Sequence, residues 1–239
     1  MSIQVLGEPW NPATGCTKIS PGCKNCYAEA WAHRLHGMNN IRYVNGFKLT
    51  THPPLVDLPR KIKKSQVYFV NSMSNLFHKD IPLDFIQAVF KTMNESPQHT
   101  FQILTKRSTR LKEVASEIDW PDNVWMGVSV ENRKTIGRIK ELKSIPAKVK
   151  FISFEPLIGD IGRVSLSGID WVIVGGESGP GARPMEKAWL LSLLKKCRKS
   201  KSAFFFKQWG GVRKDLTGRR LNGRIYNEMP KVLLSKKND

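Results

Sequence analysis

Cys16, Cys23 and Cys26 fall within eleven residues, spaced C-x6-C-x2-C, and the one remaining cysteine, Cys197, lies far along the chain. Three clustered thiols with no fourth nearby are an odd number for a disulfide framework. They suit a metal site that keeps one coordination position open. A four-iron iron–sulfur cluster needs four ligands, and three protein thiolates leave one iron free for a small molecule. Two other readings stay open. One is a structural zinc site, with His33 or a fourth thiol completing a tetrahedron; the other is a set of thiols that holds no metal. Cys197 stands in the basic helical stretch Leu193-Leu194-Lys195-Lys196-Cys197-Arg198 and reads as a buried structural thiol, with a fourth cluster ligand as the lesser alternative.

Bulk composition narrows the setting. Four cysteines in 239 residues are too few for a disulfide scaffold, and a reducing cytoplasm fits best. No stretch approaches the roughly 18 apolar residues of a membrane helix. The start, Met1-Ser2-Ile3-Gln4-Val5-Leu6-Gly7-Glu8, lacks the basic and apolar regions of a signal peptide. Lys and Arg total 39 against 20 Asp and Glu, a formal charge of +19. Such a chain attracts polyanions, and nucleic acid is the leading partner class. The cations are spread along the chain, with clusters at residues 60–64, 195–199 and 213–224.

The thiols need a scaffold to hold them. A first strand is expected around residues 8–12, directly before the cysteine loop, and a helix over 27–35 directly after it. Six apolar, β-rich runs then each end in a small or polar cluster. They are 67–70 into 71–74, 101–104 into 105–107, 124–128 into 129–132, 149–152 into 153–156, 171–174 into 175–178, and 203–206 into 207–209. Continuous apolar strands suit a parallel sheet buried on both faces. Helices are expected over 82–95, 108–117, 131–143 and 186–200, with Pro82 and Pro97 bracketing the first.

The expected fold is α/β, a partial parallel (βα)6 barrel forming a single domain over 1–239, with an insertion around 37–66 and a basic C-terminal tail whose last residues, 235–239, are frayed. In such folds ligands gather at the carboxyl ends of the strands, where every polar cluster here falls. The insertion mixes Arg42, Tyr43, Phe47, Lys48 and His52, a combination suited to phosphate contact and base stacking.

A cysteine triad after the first strand of a partial barrel resembles the radical S-adenosylmethionine (SAM) enzymes. More closely, Trp10-Asn11-Pro12-Ala13-Thr14-Gly15-Cys16, Ser20-Pro21-Gly22-Cys23-Lys24-Asn25-Cys26-Tyr27-Ala28-Glu29, Gly175-Gly176-Glu177-Ser178-Gly179-Pro180-Gly181-Ala182-Arg183-Pro184-Met185 and Phe204-Phe205-Phe206-Lys207-Gln208-Trp209-Gly210 resemble a family of phage and prophage proteins of unknown function grouped with atypical radical SAM proteins. The resemblance covers roughly residues 8–212. The first gap departs from the C-x3-C-x2-C spacing usual among radical SAM enzymes, while the x2 gap is kept.

The resemblance implies a radical SAM type of barrel and a [4Fe–4S] cluster on Cys16, Cys23 and Cys26. The free iron would hold the amino and carboxylate groups of S-adenosylmethionine. Electron transfer into the sulfonium would release a 5′-deoxyadenosyl radical that takes a hydrogen from substrate, here a nucleic acid to be modified or repaired. An electron donor such as flavodoxin or ferredoxin is implied with it. By position, Asn71, Ser72 and Ser74 would hold the methionyl amino group, although no Gly-Gly-Glu stands there. Lys106 would pair with the methionyl carboxylate. Ser129, Glu131 and Asn132 would meet the ribose hydroxyls, and Gly175, Gly176 and Glu177 would let backbone approach adenine. Lys207, Gln208 and Trp209 would contact substrate. No catalytic side chain is singled out. Each cosubstrate contact has a plainer reading as a cap or turn.

Two other function classes compete. Glu155 and Glu177, at the ends of neighbouring strands, would serve a metal-dependent nuclease or hydrolase. A zinc-containing nucleic-acid-binding protein would explain the cysteines and the charge but leave the strand-end clusters idle.

Overall fold

A computed structural model describes residues 7–231; the expected frayed end, 235–239, lies outside the described residues. The chain is mixed α/β. Its elements in order are β1 (Glu8–Trp10), β2 (Ala13–Thr14), α1 (Tyr27–Gly37), β3 (Thr50–Thr51), β4 (Val67–Val70), α2 (Leu83–Asn94), β5 (Thr100–Thr105), α3 (Ser108–Val114), β6 (Val124–Ser129), α4 (Gly137–Lys143), β7 (Val149–Phe154), β8 (Trp171–Gly175), α5 (Lys187–Ser200) and β9 (Ala203–Gln208), followed by a short helical turn. Seven strands form a sheet in the order β1-β4-β5-β6-β7-β8-β9. The chain divides into two compact units. One holds the residues up to Gly127 with Ser144–Val149, and the other holds Val128–Lys143 with the chain from Lys150 onward.

In the first unit β1, β4 and β5 run parallel, with Trp10 level with Val70 and Val70 with Ile103. Tyr68 stacks on Phe101 at 5.5 Å between ring centroids, and Trp10 tilts against the same ring at 5.5 Å. Helix α2 buries Ile86, Val89, Phe90 and Met93, a spacing of three, one and three that lays one apolar stripe on the core. The insertion contributes β3, which pairs antiparallel with β2, and three single 3-10 turns. Two of the rings suited to base stacking are engaged within the fold. Tyr43 is 6% exposed, and the His52 ring meets Thr14 Oγ1 at 2.9 Å.

In the second unit β7, β8 and β9 run parallel. Every residue of β8 is buried, as a strand covered on both faces requires. Helix α5 turns Leu190, Leu193 and Cys197 inward and leaves the cations of the 195–199 cluster at the surface or half-buried.

Three expectations need correction. The sheet has seven strands, the expected first strand and the six apolar runs, so the (βα)6 count is one strand short; the three-residue β1 pairs with β4 along its whole length. The βα alternation also lapses after β7, where no helix forms before Trp171. Pro156, Gly159, Gly162 and Gly168 break that segment. The helix expected over 131–143 starts late for a local reason. Asn132 and Thr135 form a reciprocal capping box on a 3-10 turn, and α4 begins only at Gly137.

The free edge of β9 is covered by residues 226–228. Phe206 N donates to the Tyr226 carbonyl at 3.0 Å, and Glu228 N to the Phe204 carbonyl at 3.2 Å. The Glu228 carboxylate accepts from Arg198 at 2.7 and 2.5 Å and from Phe204 N at 2.9 Å. The Arg198 hydrogen bonds, first among the causes, hold its carboxyl below the usual carboxylate range. A depressed folded-state pKa adds stability above the unfolded value of about 4.3 and loses it as pH falls through the folded one. Arg198→Gln is therefore expected to melt below the wild type at neutral pH, with the difference closing as pH drops below about 4.3. Arg198 also lies over the Tyr226 ring, 5.9 Å from its centroid, and a difference independent of pH in thermal melts would show that it acts through that contact instead.

Candidate functional site

The cysteine loop is positioned by the end of β4. Gly15 adopts φ 79°, and its N–H donates to the Met73 carbonyl at 3.0 Å. A Cβ there would lie 2.2 Å from the Lys48 carbonyl oxygen, so only glycine lets the chain pass and turn Cys16 into the loop. Cys16 N donates to the Phe47 carbonyl at 3.1 Å. The loop then forms a single 3-10 turn, Pro21–Cys23, and Cys26 takes the N-cap position of α1.

All three thiols are free and half-buried. Cys16 and Cys23 lie within electrostatic range of each other, and Lys18 lies within range of both Cys23 and Cys26. Burial raises the Cys16 thiol more than the Arg107 charge and hydrogen bond lower it, so its pKa is raised. At Cys23 burial acts upward too. Backbone hydrogen bonding at Ile19, the Lys106 charge and hydrogen bonding at Ser20 outweigh it, so that thiol ionises more readily than an ordinary cysteine. Among the described residues, no three His, Cys, Asp or Glu side chains are arranged around a single metal position.

Arg107 was not among the sequence candidates, yet it ties the loop down. Its Nη2 donates to the Thr17 carbonyl at 3.1 Å and to Thr17 Oγ1 at 2.6 Å. Buried His78 meets the same hydroxyl through Nε2 at 2.9 Å, and its other ring nitrogen accepts from Asp80 N at 3.2 Å. Burial foremost, then the Arg107 charge, lowers the His78 pKa, so the ring is neutral near pH 7. The sequence signal for Arg107 was its place beside Lys106 at the end of β5. His78 had none, because it stands in an irregular loop.

Ser72 and Ser74 sit at the end of β4 as expected, with their hydroxyls engaged by the loop. Ser72 Oγ donates to Asn11 Oδ1 at 3.2 Å, and Ser74 Oγ to the Ala13 carbonyl at 2.8 Å. Asn71 differs. It is 3% exposed and left-handed at φ 57°, and neither its Oδ1 nor its Nδ2 has a hydrogen-bond partner. A buried amide left unsatisfied is costly.

The remaining candidates belong to the second unit, where most are paired with protein groups. Ser129 is buried and its carbonyl accepts from Arg138 Nη1 at 2.7 Å. Glu131, fully buried, takes the same guanidinium at 3.0 Å. Asn132 Oδ1 caps Lys134 N at 3.0 Å. Glu177 accepts from Arg183 Nε at 2.8 Å, Nη2 at 2.5 Å and backbone N at 3.0 Å. Gly175 faces the Glu155 carboxyl, and the backbone that Gly176 approaches is Trp209. Lys207 Nζ pairs with Glu155 at 2.9 Å, Gln208 Nε2 donates to Ser178 Oγ at 2.6 Å, and Trp209 Nε1 donates to the Arg220 carbonyl at 3.0 Å. Glu155 and Glu177 are thus each committed to a cation.

A family model described as "Protein of unknown function (DUF5131)" matches residues 1–230. The chain belongs to this family. No curated protein and no solved structure matches the chain. The family description assigns no activity, so the chemistry rests on the side chains above. Among the described residues no helix is long and apolar enough to cross a membrane.

Proposed function

We propose that the protein is a radical S-adenosylmethionine enzyme that carries a [4Fe–4S] cluster on Cys16, Cys23 and Cys26 and acts on nucleic acid. The observation that carries this reading is the placement of three free, half-buried thiols on one loop at the carboxyl ends of parallel strands, beside the cations of Lys106 and Arg107.

The donor set fits such a group. A mononuclear zinc site needs ligands converging on one ion, and among the described residues no three His, Cys, Asp or Glu side chains gather in that way. A four-iron cluster spreads its thiolates over separate irons. The orphaned amide of Asn71 at the neighbouring strand end favours a small polar ligand beside the loop. When bound, the cluster supplies an open iron and an electron for reductive cleavage of S-adenosylmethionine.

The chain's own residues do the positioning. Arg107 holds the start of the loop through Thr17, and neutral His78 braces the same hydroxyl. Lys106 offsets negative charge at Cys23 and is available to a ligand carboxylate. Asn71 offers a donor and an acceptor. The nucleic-acid half of the reading rests on the +19 charge. The hydrolase alternative is weakened by the ion pairs that hold Glu155 and Glu177.

The test is anaerobic iron–sulfide reconstitution, read by optical absorption and by paramagnetic resonance of the reduced protein. About four irons per chain, with a resonance that changes on adding S-adenosylmethionine, is the expected result. Tightly held zinc with no iron uptake would overturn the radical reading and promote the zinc-containing nucleic-acid-binding protein.

A further inference from the structure

Amphipathic helices bury their large apolar side chains, and α1 does the reverse. Its buried residues are Ala28 and Ala32, whereas Tyr27 is 57% and Trp31 50% exposed, and the C-cap Met38 66%. Residues 27, 31, 34 and 38 recur at helical spacing and fall on one side of the helix. Arg34 lies over the Trp31 ring at 5.2 Å from its centroid, so this side presents π faces and a cation together. The surrounding segment is strongly basic. Between residues 17 and 48 there are five Lys or Arg (Lys18, Lys24, Arg34, Arg42 and Lys48) and one acidic residue, Glu29. Lys18 neutralises that carboxylate at 2.6 Å.

We propose that this side of α1 is a stacking platform for single-stranded nucleic acid. The proposal rests on the nucleic-acid reading above and places the substrate on a named surface. Charge complementarity selects the occupant. Apolar protein interfaces are depleted of charge at their centre, while here cations are interleaved with aromatics, as in sites that track a phosphate backbone and stack its bases. Single strands fit better than duplex because a base must leave its own stack to lie on an indole. The platform also adjoins the candidate centre. Cys26 is the N-cap of α1, and the Tyr27 hydroxyl donates to the Ser72 carbonyl at 2.5 Å. A base resting on Tyr27 would therefore lie next to the cysteine loop and the end of β4.

The experiment is fluorescence anisotropy of a fluorescein-labelled single-stranded oligonucleotide of mixed sequence at low salt, repeated with the duplex of that sequence. Trp31→Ala should weaken single-strand binding roughly tenfold, the effect of one lost base–aromatic stack, while Trp31→Phe keeps most of it. Arg42→Gln should reduce the slope of log affinity against log salt by about 0.7 for each phosphate contact removed. Trp31 is half exposed, and unchanged thermal melting will confirm that the variants fold. Wild-type binding that Trp31→Ala leaves intact, or a preference for duplex, would overturn the platform and leave the nucleic-acid reading standing. A wild type that binds neither strand form at low salt would overturn both.

Discussion

Cys16→Ala, Cys23→Ala and Cys26→Ala are each expected to lose most of the iron that the wild-type chain takes up on reconstitution, whereas Cys197→Ala keeps it. With three protein thiolates on a four-iron cluster, deleting one leaves two irons without protein ligands, and the cluster is no longer held. Exposure separates the two kinds of thiol, because burial raises the pKa of Cys16 as it does that of Cys197. Cys23 ionises more readily than usual and lies beside Lys106, and the loop thiols are half-buried, open to iron and sulfide. Cys197 is buried on the inner side of α5, and burial pushes its pKa up to about 12, so it stays a neutral thiol at working pH. The three loop substitutions should leave melting nearly unchanged because their side chains carry little of the core. Cys197→Ala should lower stability by about 1 kcal/mol through a small cavity. The measurement is iron per chain together with thermal melting for all four variants. Full iron retention in any one loop variant removes that thiol from the ligand set.

Gly176→Ala is expected to destabilise the protein by more than about 4 kcal/mol, or to prevent folding, a size reached only by a few mechanisms. A Cβ at Gly176 would sit 1.8 Å from the Trp209 carbonyl oxygen. That neighbour is backbone, held by its own strand-end hydrogen bonds. Gly176 N donates to the Gln208 carbonyl at 3.0 Å, and Trp209 N to the Gly218 carbonyl at 3.1 Å, so neither side can withdraw without breaking them. Gly175→Ala is the comparison. Its Cβ would meet the Glu155 carboxyl at 3.1 Å, the far end of a flexible side chain, and should cost about 1 kcal/mol. Chemical denaturation of both variants measures the difference. Equal stabilities would show that the ends of β8 and β9 separate more readily than their packing implies.

That glycine pair shows where reading by residue type stops. In the sequence Gly175-Gly176 invites a close backbone approach, and an approach is what the structure has, with Trp209 as its partner. Glu131 and Glu177 read as free strand-end carboxylates and are instead paired with Arg138 and Arg183. Tyr43 reads as a stacking residue and is buried. Lys106 was legible as a strand-end cation, while its neighbour Arg107 makes the hydrogen bonds to the cysteine loop. Trp31 and Tyr27 drew no attention as a surface because helical periodicity alone does not say which side faces the core.

The sequence by itself determined where the strands of the seven-stranded sheet and the main helices fall, though not the short β2–β3 pair, together with the cysteine loop after the first strand and the basic character of the chain. Those follow from local quantities: continuous apolar runs, caps, proline and glycine breaks, and a charge count. Only the tertiary structure decided which polar groups are already satisfied. Lys207 meets Glu155 across 52 positions of chain, and Arg107 meets Thr17 across 90. A hydrogen bond is set by contact within about 3 Å, and the fold, not residue type, brings such distant groups within that reach. The fold likewise leaves the Asn71 side-chain amide buried without a partner while the hydroxyls of Ser72 and Ser74, one and three residues on, each donate a hydrogen bond.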